Sequence, residues 1–527
     1  MPSQFSDIDF GSVRQLRQFK IDYRRVRNLD YIDQDQRSPQ SFAEFRRVAV
    51  RRPLEMTHQP RPKFDPGLKN LSKFTTLYFL KPKILVLVNQ TLYPSVKDAI
   101  DQYVRDVAYE GYYADVYSMQ QGTAQELRSF IHGKLPLAGA LLVGNLPVAW
   151  FEMDDDFHGA HSEFPCDLYF MDQNGTWSDP DNDGKFSQHP TNVEPELWIS
   201  RLWTPTNNGN DASLINDYFR RNHEFRKGQL GCSNRALAYV DDDWAGFDDC
   251  AFDQMFLPAD IETITDATST DADRYKAEIN EHRAWAQVCA HSSPGGHSFK
   301  VPNGTEWVPA SYLRDINPAD AFFYNLFACS NARFTQADYM AGWYIFDKTG
   351  DSRASGLVAV GSSKSGSMLM FENFYGPMGS GKTIGEAYLE WWKALGATHE
   401  LWERQWFYGM VLLGDPTLNW WTGVVPTLRN PYDGDVFDHF PRRMRFRWDP
   451  IALGGAVYNV EIDAFGARAA GKWAAEVGQT WFVTGALMDT SYEHMFVGAQ
   501  PGRWRVRAKV GNRVCPWSDW HYFEYTV

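Results

Sequence analysis

A chain of 527 residues exceeds what one small core can organise and points to two or three domains. With 43% apolar, 22% charged and 15% aromatic residues it is neither disordered nor fibrous, and a formal net charge of -14 argues against broad binding to nucleic acid or an anionic membrane. No apolar run nears the roughly 18 residues that span a bilayer, and the six cysteines (Cys166, Cys232, Cys250, Cys289, Cys329, Cys515) form no CxxC pair, which excludes a zinc site or disulfide framework legible from spacing.

Residues 1–80 read as a basic N-terminal arm. Clusters at Arg24-Arg25-Val26-Arg27, Arg46-Arg47 and Arg51-Arg52 occur with little hydrophobic periodicity. The arm is either a solvated extension lying over the surface or a regulatory prosegment. Its first twenty residues lack the apolar stretch of about 7 to 15 residues of a secretory signal. A natural start at this Met implies the cytoplasm; an extracellular location requires a removed leader.

From Lys83 the pattern becomes α/β. Ile84 to Val88 is a continuous apolar run of strand length, as in a parallel sheet buried on both faces. Val96, Ile100, Tyr103, Val104 and Val107 fall on one helical face, with Gly111 placed to stop the helix. Ala114 to Tyr117 predicts a strand, Thr123-Ala-Gln-Glu126 a capping box opening a helix, and Ala140 to Val143 a third strand. Further strands are expected at Leu197 to Leu202, Leu237 to Val240, Trp285 to Ala290, Ala321 to Ala328 and Leu357 to Gly361. Helices are expected at Leu214 to Phe225, Ala272 to Arg283 and Ile384 to Leu395. One large, mostly parallel sheet flanked by helices, over residues 81–425, accommodates them all.

After Trp421, Pro426, Asn430-Pro431 and Asp433-Gly434 punctuate short strands with period-two alternation, at Met444 to Trp448, Val457 to Ile462 and Trp504 to Ala508. Residues 426–527 therefore read as an all-β, immunoglobulin-like sandwich. The stretches FRWDP, YNVEID, TSYEHMF, PGRWRVRA and WSDWHYF resemble a fibronectin type III domain, a module that binds or spaces; its partner is not legible.

Two strands end in chemistry. Phe322 to Cys329 delivers Cys329 into the turn Ser330-Asn331, and Trp285 to His291 delivers His291 into Ser292-Ser293-Pro294-Gly295-Gly296. Ligands of parallel sheets bind beyond the carboxyl ends of the strands, which places both groups at one rim. A thiol needs a neighbouring base or cation to supply thiolate, and histidine titrates in the right range. The glycine-rich turn presents N–H groups to an oxyanion. Cys289, inside its strand, reads as a buried small hydrophobe.

AHSSPGG followed by NLFACSN resembles the His and Ala-Cys elements of gingipain-type, caspase-like cysteine peptidases. CDLYFMDQNGTW, PELWISRLW, GLVAVGSSKSG, GKTIGEAYLEWW and LLGDPTL follow that family's order across roughly Lys83 to Asn419. The resemblance implies an endopeptidase acting on protein or peptide substrates. Cys329 would be the nucleophile, His291 the general base and later acid, and the amides of Ser292 and Cys329 the oxyanion donors. The family usually has Gly where Ser292 stands; His297 is the rival base. Asp242, in the run Asp241-Asp242-Asp243, is the implied acid that orients His291. Asp248 or Asp249 is the implied acid of the specificity pocket, which charge complementarity would fit to Arg or Lys. An acidic solvated loop is the alternative for the whole stretch. A pocket of that kind makes Arg46-Arg47 and Arg51-Arg52 candidate self-cleavage points.

Two further motifs remain. Asp179-Pro-Asp181-Asn-Asp183-Gly184-Lys185 matches the first half of a calcium loop, with Asp179, Asp181, Asp183 and Lys185 as metal candidates. Pro190 stands where an EF-hand has its bidentate Glu, so the choice is between a structural calcium site, as loops of gingipain relatives form, and an ion-free turn. Gly376-Pro-Met-Gly-Ser-Gly381-Lys382-Thr383 satisfies the phosphate-loop pattern, but too little chain follows for a nucleotide-binding sheet. A P-loop NTPase and a catalytically silent binding protein with the same fold are the alternatives to the peptidase.

Overall fold

The structure, a computed structural model, describes residues 31–48, 54–62 and 82–526, apart from positions 111, 121, 191–192, 227–228, 232, 248–249, 267, 351–353, 421–424, 452–454, 467–470, 475–481 and 511–512. Eleven strands form its central sheet: β1 (Met56–His58), β2 (Lys83–Asn89), β3 (Tyr113–Met119), β4 (Gly139–Val143), β7 (Trp198–Leu202), β8 (Ala236–Val240), β9 (Ile261–Ile264), β10 (Arg283–Cys289), β14 (Ala321–Phe327), β15 (Val358–Ser362) and β16 (Met410–Gly414). The numbers left free belong to the hairpin β5 (Trp150–Asp156) and β6 (Ala160–Pro165), and to the three-stranded sheet β11 (His291–Ser293), β12 (Gly296–Val301) and β13 (Gly304–Pro309).

The order across the central sheet is β1-β3-β2-β4-β7-β16-β15-β14-β10-β8-β9. Strands β3, β2, β4, β7 and β16 run one way and β15, β14, β10, β8 and β9 the other, because β15 and β16 pair antiparallel. Apart from β1 at the edge, each half is parallel within itself, so each has its own carboxyl rim, and His291 and Cys329 share the rim of the second half. The runs expected to be strands are buried on both faces, as covered parallel sheets require.

Helices cover the faces: α1 (Phe42–Val48), α2 (Tyr93–Tyr109), α3 (Ala124–His132), α4 (Ala212–Arg226), α5 (Ala272–Ile279), α6 (Glu372–Gly379), α7 (Ile384–Ala394) and α8 (Leu401–Phe407). The apolar face anticipated for α2, from Val96 to Val107, is buried. Gly111, expected to stop it, lies outside the described residues. The capping box of α3 forms: Thr123 Oγ1 accepts from the Glu126 amide at 3.1 Å, and Glu126 accepts from the Thr123 amide at 2.7 Å. Part of the basic arm belongs to the fold. β1 adds antiparallel to β3, with Met56 opposite Met119.

The C-terminal unit is built of two further β-sheets. β17 (Leu428–Asn430), β19 (Arg443–Trp448) and β23 (Ser491–Met495) make one. The other contains β18 (Asp435–Phe437), β20 (Ala456–Gly466), β21 (Lys472–Trp473), β22 (Phe482–Val483), β24 (Pro501–Val510), β25 (Arg513–Trp517) and β26 (His521–Tyr525). Met444, Phe446 and Trp448 of β19 point inward and Arg443, Arg445 and Arg447 outward, the alternation read from the sequence. Phe446 meets Trp504 of β24 edge-on at 4.9 Å in the core. Among the described residues, no helix is long and apolar enough to cross a membrane.

Candidate active site

β10 and β14 are parallel neighbours, in register from Arg283 opposite Ala321 to Cys289 opposite Phe327. The Ala290 amide continues the ladder by donating to Phe327 O at 3.1 Å. His291 and Cys329 each follow by two positions the last paired residues, Cys289 and Phe327. The chain then turns sharply after each. Ser330 adopts a left-handed φ of 55° and its amide donates to Lys364 O at 2.8 Å. His291 opens the hairpin of β11 and β12, whose turn is Pro294-Gly295. The glycine-rich turn expected after His291 is thus a short, ordered hairpin. Asn331 Nδ2 donates to Ser292 Oγ at 3.2 Å and ties the two turns together.

A third strand end supplies the acid. β8 pairs with β10 on the other side, and the Asp241 amide donates to Cys289 O at 2.9 Å, so Asp241, Asp242 and Asp243 emerge beside His291. A 3-10 turn over Asp242–Phe247 points Asp243 at the ring: its Oδ2 lies 3.3 Å from His291 Nε2, and its Oδ1 accepts from Lys300 Nζ at 2.6 Å. The acid on the histidine is therefore Asp243, where the resemblance implied Asp242. The 3-10 geometry, not the sequence, chooses between adjacent residues. Asp242 faces Lys300 Nζ at 3.7 Å, and its Oδ1 is buried without a hydrogen-bond partner.

The carboxyls titrate apart for stated reasons. Burial pushes Asp241 up to about 7, against two bonds from the Lys300 amide. Burial also raises Asp242, against the Lys300 charge. Burial would raise Asp243 too, but the bonds from His291 and Lys300 outweigh it and hold it below the usual range. With Nε2 committed to Asp243, His291 Nδ1 is buried and has no hydrogen-bond partner. Trp244 packs on the ring at 5.3 Å.

Cys329 is 2% exposed, and burial pushes its thiol up to about 11, an effect partly offset by the Gly366 amide, the Lys364 charge and the Ser365 hydroxyl. Cys289 is fully buried, as expected of a core thiol, with Gln287 Nε2 at 3.7 Å from its sulfur. His297 is fully buried against Tyr344 OH at 2.8 Å, and burial takes it down to about 3, so the rival base is a neutral core histidine. Asp248 and Asp249 lie outside the described residues.

The arm reaches this site. Tyr31 bridges in parallel to Ser292, Ile32 donates to Ser292 O at 3.3 Å, and Ser293 Oγ donates to Asp33 Oδ2 at 3.0 Å. Arg333, 2% exposed, holds the arm's Gln40 carbonyl together with Glu163 O and Ser363 O. The strap thus lies along the edge of the residue proposed as an oxyanion donor.

The acidic loop folds differently. Asp179 accepts from the amides of Asp183 and Gly184 at 3.2 and 2.9 Å, closing the turn. Oxygens of Glu152, Asp181 and Asp183 lie within 4.8 Å of one another, but Lys185 Nζ is already among these groups, at 2.6 Å from Glu152, 3.0 Å from Glu163 and 2.9 Å from Asp183. With that ammonium seated the residues do not fit a calcium ion. The phosphate-loop match is the end of α6 and the N-cap of α7: Thr383 caps Glu386, and Lys382 pairs with Glu390 at 3.4 Å. A helix, not a strand, precedes it, which removes the phosphate-loop context.

No protein-family profile matches the chain, and no curated protein matches it. Among solved structures, the chain is similar to the crystal structure of gingipain R, an Arg-specific cysteine proteinase, at 12% identity and a TM-score of 0.49 over 84% of this chain and 98% of that one. At that level of likeness the roles of individual residues do not transfer.

Proposed function

We propose that this chain is a cysteine peptidase in which Cys329 attacks the scissile carbonyl. The observation that supports the reading is that His291 and Cys329 follow the carboxyl ends of the paired parallel strands β10 and β14, with Asp243 on one nitrogen of the imidazole.

His291 donates a hydrogen bond from its Nε2–H to the Asp243 carboxylate, and Nδ1 is the nitrogen that takes the Cys329 proton. The thiolate forms the C–S bond, the carbonyl electrons move onto oxygen, and the amides of Ser292 and Cys329 face that oxyanion. The imidazolium then protonates the leaving amine as the C–N bond breaks. A water molecule, deprotonated by His291, hydrolyses the thioester and restores the thiol. Asp243 keeps the ring in one tautomer and stabilises its charged form, as the acid of a catalytic triad does.

Cleavage after Arg or Lys is a separate proposal that falls on Asp248 and Asp249. Self-processing is another. Arg46 and Arg47 sit in α1, which a protease must unwind, whereas the strap from Tyr31 to Gln40 must leave before substrate reaches the Ser292 edge. The C-terminal unit is proposed as a fibronectin type III-like recognition module with no chemistry of its own.

Fluorogenic peptides with Arg, Lys or neutral residues at the cleavage position, assayed on the full chain and its Cys329→Ala variant, test the reading. Turnover lost in the variant is the expected result; full turnover without the thiol overturns it. A thiol-reactive peptide warhead that fails to label Cys329 argues for a silent binding protein. Sequencing the N-terminus of the active form decides self-processing, and an intact Met1 ends that proposal.

A further inference from the structure

The residue closest in role to Cys329 that the sequence did not single out is Lys364. It follows β15 in Ser362-Ser363-Lys364-Ser365-Gly366 and is 2% exposed. Burying an ammonium costs several kcal/mol unless it is paired and hydrogen-bonded. Here Nζ lies 2.9 Å from Asp156 Oδ1, at the end of β5, and donates to the carbonyls of Ser365 and Gln405. The rings of Phe157 and Phe164 flank it at 4.9 and 5.4 Å. Asp156 is itself 4% exposed.

The turn that carries this ammonium also holds the thiol. Lys364 O accepts from the Ser330 amide at 2.8 Å, which fastens it to the residue after Cys329. The Ser365 hydroxyl and Gly366 amide face the sulfur. Gly366 has φ +116°, and a Cβ there would come within 2.6 Å of Trp406 O and 2.8 Å of Gln405 O, so only glycine allows this turn. The charged and titratable groups around the sulfur are thus Lys364 and Asp156, with His291 and Asp243 at the neighbouring strand ends.

We propose that Lys364 is a positioning residue for the nucleophile: its buried ammonium stabilises the thiolate of Cys329, and Asp156 anchors that ammonium while moderating its pull. The proposal rests on the reading of Cys329 as nucleophile. An opposite charge nearby favours the charged form where burial disfavours it, so the ammonium offsets part of the rise that burial imposes on the thiol. His291 then need not carry the thiolate alone.

The test is the rate of carbamidomethylation of Cys329 by iodoacetamide, followed by mass spectrometry of the peptide that contains it, from pH 6 to 10 on the full chain. Lys364→Met is expected to slow the reaction about fivefold or more at pH 8 and move its pH profile upward. Burial lowers Lys364 and Asp156 opposes that, so the variant that keeps the charge is the informative partner: Lys364→Arg is expected to stay near wild type. A side chain that served only packing would shift both variants alike through loss of fold. Equal shifts in both, or no shift in either, overturn the proposal. Should Lys364→Met fail to fold, Lys364→Gln read over the same pH range decides. The readout needs no substrate: a titrating Cys329 without peptide cleavage sinks the peptidase reading and leaves this inference standing, whereas cleavage with unshifted profiles does the reverse.

Discussion

The runs Asp179–Asp183 and Asp241–Asp243 each hold three aspartates and have a lysine in contact, yet they are put to different uses. In the first, Lys185 is nearly enclosed and pairs with Glu152, Glu163 and Asp183 at 2.6 to 3.0 Å, while Asp179 is spent on turn amides. In the second, Lys300 is part-exposed and reaches Asp243 closely but Asp242 only at 3.7 Å. Asp241 and Asp242 are left raised, and Asp243 retains a free bond for an imidazole. Carboxylates neutralised from within make a fixed loop; a carboxylate whose lysine takes one oxygen keeps the other for a neighbour that exchanges protons, as Asp243 does for His291.

The comparison breaks first at the histidine. Asp243→Asn is expected to lower kcat/KM for peptide cleavage by about 10²- to 10⁴-fold, the scale set by loss of the acid in a catalytic triad. Asp242→Asn should cost less than about tenfold. Equal losses in steady-state assays would return the orienting role to Asp242.

Lys185→Met should destabilise the chain by about 3 kcal/mol, since it strands three carboxylates in a partly enclosed cluster. Thermal melting measures this. Chelator should leave the wild-type transition unmoved, while added calcium should raise that of the variant. A chelator-sensitive wild type would put an ion in the loop in place of the ammonium.

Asp241 gives a pH effect of the opposite kind to a paired carboxylate. Its folded value, about 7, lies above the unfolded 3.8, so its contribution is fully present below pH 3.8 and is lost as pH rises through 7. Asp241→Asn should therefore flatten the fall in melting temperature between pH 4 and pH 7.5; an unchanged slope would mean that another group carries it. The smallest effect is expected at Lys382, whose partner is a solvent-exposed glutamate: Lys382→Ala should change stability by less than about 0.5 kcal/mol and create no difference in ATP turnover.

Much of the central sheet is legible in the sequence because covered parallel strands are continuous apolar runs, and each run from Ile84 to Gly361 became a strand within a few residues of its expected ends. β16 was missed as a strand. Its Met410-Val-Leu-Leu-Gly414 is no less apolar, but only Tyr408 and Gly409 separate it from the apolar end of α8, Trp406-Phe407, so the two read as one run, and it reverses the sheet by pairing antiparallel with β15. The hairpin of β5 and β6 was hidden by its acidic tip, Glu152 to Asp156, which reads as loop. That omission also concealed Asp156, and with it the partner of Lys364. A lysine inside GLVAVGSSKSG was the available signal, since a charge next to a buried strand needs a counter-charge.

By itself the sequence determined where Cys329 and His291 stand, because backbone periodicity and strand-terminating turns are local and fix which residues fall at a strand's end. Only the tertiary structure decided which aspartate meets the ring, that Lys185 sits where an ion was expected, that the arm lies on Ser292, and that an ammonium shares a turn with the thiol. Those outcomes depend on side chains brought together from distant parts of the chain and on turn angles that differ between adjacent residues, and neither is written in spacing.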